Sequence, residues 1–411
     1  MQTFIARQPI FDRQQKVFAY ELLFRSGETK NYVDRTDLDQ ISSKVIADSC
    51  LLLNVEDITA GKKAFVNVTR DVLMGEYFHM LPVGLTAVEL LETIEPDEAV
   101  IKACRGLKAA GYTLALDDFV YSEKWQALVE LADIIKVDFL TTTSGEQKEL
   151  VDKFTPLGVR FLAEKVETQE VFQQAVGMGY HYFQGYFFCR PVILSNKDIS
   201  GSKLQYVRIL QEIHRAELDF RRLEQIIKLD LSLSYKLLRY INSASLGRRN
   251  TISSIKQALD LLGEREIKRW VSLIALAGMS TDKPEELVTH AVIRAKFCEL
   301  LAPSFRLESR AEDLFLMGMF SLVDAILDRE LKGILVEMPI DEDIKLALLG
   351  ETSDLKKVYD YMLDYEKADW ERLVEKSGEM GFTNAEATLP RLYLNAVNWA
   401  EKSFVPTVRA K

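Results

Sequence analysis

The chain has 411 residues, 48% of them hydrophobic and 28% charged, and a net charge of −10. That length suggests two or three domains, each large enough to bury a core, and the acidic balance argues against coating nucleic acid, which depends on Lys and Arg. The longest apolar run, "WVSLIALAGM" from Trp270, is too short to cross a bilayer, and four scattered cysteines form no CxxC, so a reducing cytoplasm is expected rather than a membrane, a zinc site or a disulfide framework.

From residue 1 to about 195, strand-like runs alternate with helix-like segments. The runs are "FAYELLF", "AFVNV", "LTAVEL", "TLALDDF", "DIIKVDF", "RFLAEKVE" and "YHYFQGYFF". Amphipathic stretches such as "DEAVIKACRGLKAAG" and "TQEVFQQAVGMG" lie between them and close on glycine, as helices tend to. Seven strands alternating with helices imply a parallel sheet closed into a barrel. A polar, Gly-containing stretch near 195–203 ends this pattern, and residues 205–402 carry almost pure helical periodicity. The expected fold is an α/β barrel of TIM-like type over 1–197, followed by an all-α domain over 204–402.

Barrels of this type hold their chemistry at the C-terminal ends of the strands. Those ends carry Glu21, Asn67, Glu89, Asp117 with Asp118, Lys136, Glu164 with Glu167, and Gln184. The steps between them are 46, 22, 28, 19, 28 and 20 residues, and the later ones each suit one strand–helix unit. Any one of these side chains, taken alone, reads equally well as a strand cap or a lysine partner. Together they place six carboxylates in one mouth with Lys136 alone to balance them. Such a cluster calls for divalent cations. An all-oxygen ligand set selects Mg²⁺ or Mn²⁺, and a pair of such ions suits in-line displacement at a phosphodiester.

These residues also carry a resemblance. "YELLFRS" (20–26), "RQPIF" (7–11), "FVNVT", "VELLE", "LDDF", "IIKVD", "AEKVET" and "FQGYFFCRP" together resemble the EAL domain, a barrel family that hydrolyses the bacterial second messenger cyclic di-GMP. The resemblance covers roughly residues 3–192. It implies that Glu21, Asn67, Glu89 and Asp117 hold one Mg or Mn ion, and that Asp117 bridges to a second, which Asp118 and Glu164 help to bind. It implies further that Lys136 and Glu164, with Glu167 nearby, orient or deprotonate the attacking water. Arg25 would neutralise a phosphate, while Gln8 and Gln184 complete the dinucleotide site.

The chain departs from the family's pattern in three places. "VYSEKW" (120–125) replaces a Gly- and Ser-rich loop after "DDF". Lys165 stands where the family prefers Gly, and is expected to point to solvent. "NYVDRTDLDQISS" occupies a shortened segment between Arg25 and Asn67.

In the second half, "IIKLDLSLSYKLLRYINSASLG" and "TISSIKQALDLLGEREIKRWV" resemble the HDOD domain, through Asp230, the "NSAS" run from Asn242, and "ALDLLG" ending at Gly263. Related metal hydrolases need an adjacent His-Asp pair, and none of His79, His181, His214 or His290 is followed by Asp. The resemblance therefore implies a regulatory or partner-binding module. Two readings of the whole stay open. One is a cytoplasmic cyclic di-GMP phosphodiesterase with two Mg or Mn ions, a protein partner at its HDOD domain and a possible homodimer. The other is an inactive barrel that senses ligand or docks partners.

Overall fold

A computed structural model describes residues 3–26, 55–75, 81–190, 201–214, 218–229, 231–242, 252–338, 340–380, 382 and 384–401. Eight strands close into a barrel: β1 (Thr3–Asp12), β2 (Val17–Ser26), β3 (Lys63–Val68), β4 (Thr86–Leu90), β5 (Thr113–Leu116), β6 (Ile134–Asp138), β7 (Arg160–Glu164) and β8 (Tyr182–Gln184). From β2 round to β8 neighbouring strands are parallel. β1 is antiparallel to both β2 and β8. Periodicity alone yields seven runs and misses this reversed strand. Its direction follows from the connection, since residues 13–16 are too few for the crossover that a parallel pair needs. Asp12 closes the turn by accepting the backbone N–H groups of Gln14 and Lys16 at 2.8 and 2.9 Å.

One residue from each strand packs into the barrel floor: Ile10, Ala19, Phe65, Ala87, Ala115, Ile134, Leu162 and Tyr182. Side chains alternate with period two, so the residue two positions toward the mouth faces the same interior. Those residues are Glu21, Asn67, Glu89, Asp117, Lys136, Glu164 and Gln184. On the reversed β1 the count runs backward from Ile10, to Gln8. Register agrees, with Gln8 opposite Glu21 and Asn67 opposite Glu89. A polar ring thus lies one step above an apolar floor.

Outer helices form where the sequence provides starts. Asp97 caps Glu98–Ala109, Thr143 and Glu146 form a capping box on Ser144–Phe154, and Thr168 caps Gln169–Met178. The barrel's compact unit comprises Met1–Phe188 together with Leu363–Leu394. Within it the Trp370 ring stacks on Phe4 at 5.1 Å, and the Tyr365 hydroxyl donates to the Ile5 carbonyl at 2.6 Å. The outer face of β1 is therefore covered by residues from the far end of the chain.

The second compact unit, Cys189–Met362 with Asn395–Lys411, is helical wherever it has regular structure among its described residues. Glu285–Leu301 is buried on most of its circumference, with Leu287, Ala291, Val292, Ala295 and Cys298 inaccessible. The helix Ile255–Met279 breaks at Gly263, whose φ of 75° and ψ of 168° are non-helical. "ALDLLG" thus ends at a real interruption. Asn242 donates to the carbonyls of Leu238 and Ile252 and accepts the Ile252 N–H, each at 2.7 Å. Asp230, His79, residues 243–245 and "NYVDRTDLDQISS" lie outside the described residues.

Candidate active site

The polar ring converges on Lys136. Its ammonium is 1% exposed and lies 2.8 Å from Glu164 Oε1, 2.9 Å from Asp117 Oδ1 and 3.8 Å from Glu21 Oε1. It also donates to Glu89 Oε1. Four carboxylates therefore face one ammonium, and the surplus is negative. Burial alone would lower the Lys136 pKa, but Glu21, Glu89, Glu164 and Asp117 raise it well above the ordinary lysine value. Lys136 stays protonated.

The carboxylates respond unequally. Burial raises Glu89 well above its ordinary value, with Lys136 offsetting part of the effect. Glu164 is pushed up to about 8, again chiefly by burial. Burial would raise Asp117 too, but the Lys136 charge and hydrogen bond win, and its pKa is lowered. Asp118, at the rim, is raised by partial burial and by the charge on Asp117.

Gln184 Nε2 donates to Glu21 Oε2 at 2.6 Å and to Gln8 Oε1 at 3.0 Å, and Asn67 Nδ2 donates to Glu21 Oε1 at 3.1 Å. Four buried oxygens in this ring have no hydrogen-bond partner among the described residues: Asn67 Oδ1, Glu89 Oε2, Glu164 Oε2 and Gln184 Oε1. Orphaned buried acceptors are costly unless something else satisfies them. One oxygen each from Glu89, Asp117 and Glu164 lie within 4.8 Å of one another. Hard oxygens at that spacing, with a surplus of negative charge, fit a divalent cation of the Mg²⁺ or Mn²⁺ type.

The structure brings Gln8, Glu21, Asn67, Glu89, Asp117, Lys136, Glu164 and Gln184 into one mouth. Asp118 is exposed just beyond β5, with a φ of 39°. Glu167 is half-buried in the loop beyond β7. The Arg25 backbone pairs with Phe4 in the β1–β2 ladder, and its side chain lies outside the described residues.

Two departures from the expected pattern become concrete. The "VYSEKW" loop is fixed by aromatic packing, with Trp125 edge-on to Phe119 at 6.0 Å and Tyr121 against Phe154 at 5.1 Å. Lys165 does not simply point to solvent: its Nζ lies 2.5 Å from Asp138 Oδ2. Reasoning from sequence missed Asp138. The available signal was its place two residues beyond Lys136 on the same strand, hence on the same face.

The comparisons with known proteins agree with this architecture. Residues 2–191 match the family model for the EAL domain, and residues 204–326 match that for the HDOD domain. The YuxH protein of Bacillus subtilis is 37% identical over 97% of this chain and 98% of its own length. A Vibrio cholerae protein named cyclic di-GMP phosphodiesterase CdgJ is 36% identical over 92% of this chain and 88% of its own. The chain belongs to the YuxH-like family, in which an EAL domain precedes an HDOD domain. Among solved structures, the PaMucR phosphodiesterase in complex with c-di-GMP covers 46% of this chain and 97% of its own, at 21% identity and a TM-score of 0.39.

Proposed function

We propose that the chain is a cyclic di-GMP phosphodiesterase whose barrel binds the dinucleotide at its mouth and hydrolyses it to linear pGpG. The observation that carries this reading is the polar ring, in which oxygens of Glu89, Asp117 and Glu164 stand within 4.8 Å beside an otherwise unbalanced carboxylate cluster. The name and near-full-length similarity of the Vibrio cholerae relative support the substrate. Glu21, Asn67, Glu89 and Asp117 would hold one Mg or Mn ion, and Asp117, Asp118 and Glu164 a second. Such ions supply charge neutralisation at the phosphoryl oxygens and a nucleophile at neutral pH.

The protein's own groups then have distinct tasks. Lys136 fixes the carboxylates and, with Glu164, orients the attacking water, while Glu167 borders that position. Water adds across one P–O3′ bond, leaving a 3′-hydroxyl and a 5′-phosphomonoester. Gln8, Gln184 and Arg25 bind and orient the dinucleotide. The HDOD domain serves as a regulatory or partner-binding module, and a homodimer is compatible with this reading. Among the described residues no helix is long and apolar enough to cross a membrane. The free thiol of Cys104 suits a reducing cytoplasm.

Turnover of cyclic di-GMP by the purified full chain, with Mg²⁺ and then Mn²⁺, tests the proposal. Wild type should form the linear product. Glu164→Gln should keep its ligand affinity within about tenfold but lose about a hundredfold or more in rate, because electrostatic and water-positioning contributions are concentrated there. Binding without cleavage by wild type with either metal would transfer the case to the ligand-sensing reading, which the glycine-free "VYSEKW" loop favours.

A further inference from the structure

Lys165 follows Glu164 directly and occupies left-handed backbone, with a φ of 54°. A side chain in that region costs about 1 kcal/mol, and such strain persists where the surroundings hold it. Here the holder is Asp138. That carboxylate is 4% exposed at the end of β6, directly opposite Glu164 on β7. Its Oδ1 accepts the backbone N–H groups of Leu140 and Thr141 at 2.7 and 3.3 Å, and its Oδ2 takes the Lys165 ammonium at 2.5 Å. Both oxygens are committed. Asp138 lowers its own pKa through this pair against the opposing effect of burial, and the Lys165 charge is felt in turn at Asp118.

A glycine at this position would leave Asp138 as one more negative charge beside Asp118 and Glu164. Lysine cancels that charge and adds a cation at the rim. We propose that Lys165 is a resident cation that occupies Asp138 opposite Glu164, so that the ion position built from Asp117, Asp118 and Glu164 is the weaker of two. The inner position, built from Glu21, Asn67, Glu89 and Asp117, fills first. The outer one then fills only as free divalent ion rises, which makes the state of the site responsive to ion supply. This rests on the two-ion reading of the barrel. The Lys165 side chain is 51% exposed, so solvent screens it, and its influence is about tenfold in affinity rather than thousandfold.

Calorimetric titration of the ion-free full chain with Mn²⁺ tests the inference without reference to turnover. Wild type should show two unequal classes. Lys165→Gln, which keeps the strained backbone, and Lys165→Gly, which relieves it, should both tighten the weaker class by about tenfold or more and leave the tighter one unchanged. Lys165→Arg should behave as wild type. If Gln and Gly variants bind as wild type does, the inference falls while two-ion binding stands. If all four proteins bind one ion or none, the inference falls together with the two-ion reading.

Discussion

Replacing Lys136 with Met keeps an unbranched apolar stem and removes the positive charge that Lys136 places inside the carboxylate ring. The Lys136 ammonium lies between 2.8 and 3.8 Å from Glu164, Asp117 and Glu21. At an effective dielectric of about 20, each such pair is worth about 4–6 kcal/mol before desolvation is charged against it. The variant need not bear that whole loss, because the ring can take up a proton in place of the ammonium. At about pH 7.5, roughly three units above the ordinary carboxylate pKa, one added proton costs about 4 kcal/mol. That agrees with about 3–5 kcal/mol for breaking a buried pair by deleting one partner. The expected loss is therefore about 4 kcal/mol, or about 10 °C in Tm for a unit of this size. Urea and thermal unfolding of the full chain in a chelator would measure it. The deficit should shrink to about 1–2 kcal/mol near pH 5.5, where the proton is cheaper, and added Mn²⁺ should recover part of it. A variant within about 0.5 kcal/mol of wild type at both pH values would refute the reasoning.

Gly185, next to Gln184, has a φ of 145°, and a Cβ there would lie 2.1 Å from the Val166 carbonyl oxygen. Because both partners are backbone, Gly185→Ala should cost about 2–4 kcal/mol in urea unfolding, and a loss below about 0.5 kcal/mol would contradict the close approach. His214 lies 3.1 Å from Ser272 Oγ, and its pKa is lowered to about 4 by burial with help from Lys268. A free imidazole binds its proton near 6.5, so the unfolded chain gains a proton first as pH falls. Stability should therefore drop between about pH 6.5 and pH 4, by at most about 3 kcal/mol. His214→Gln should flatten that slope, and parallel urea midpoints for the two proteins would count against it.

The parallel strands were legible as short apolar runs, and strands such as β4 and β6 are buried on both faces. β1 was not legible from periodicity alone, although "RQPIF" resembles an opening strand of the EAL domain. Phe4, Ile5 and Ala6 are buried in succession, and Arg7 is buried over the Tyr20 ring at 4.2 Å. Both faces of the strand are covered, yet Arg7, Gln8 and Pro9 interrupt its apolar run. One cover comes from Tyr365 and Trp370, some 360 positions away in sequence. No local window contains that information.

The convergence of the ring was legible because its spacing is a consequence of geometry. Each ring residue stands two positions beyond a floor residue, so a single polar side chain at each strand end was enough to propose convergence. What spacing cannot supply is the distribution of counter-charge. Lysines usually reach solvent, and that default overlooks the partner that half-exposed Lys165 finds in Asp138, whereas the strand-end spacing already placed Lys136 in the mouth. Lys136 is enclosed by four carboxylates it meets only when β2, β4, β5, β6 and β7 close around it. Lys165 meets Asp138 because β6 and β7 are adjacent and because residue 165 turns left-handed. The two cations also differ in kind. The inner one is dry and offsets only part of the ring's negative charge. The outer one is half exposed and bound to a carboxylate that the ring itself does not use. The inner cation thus leaves the ring with a negative surplus, while the outer one takes a single carboxylate, Asp138, out of play at the rim.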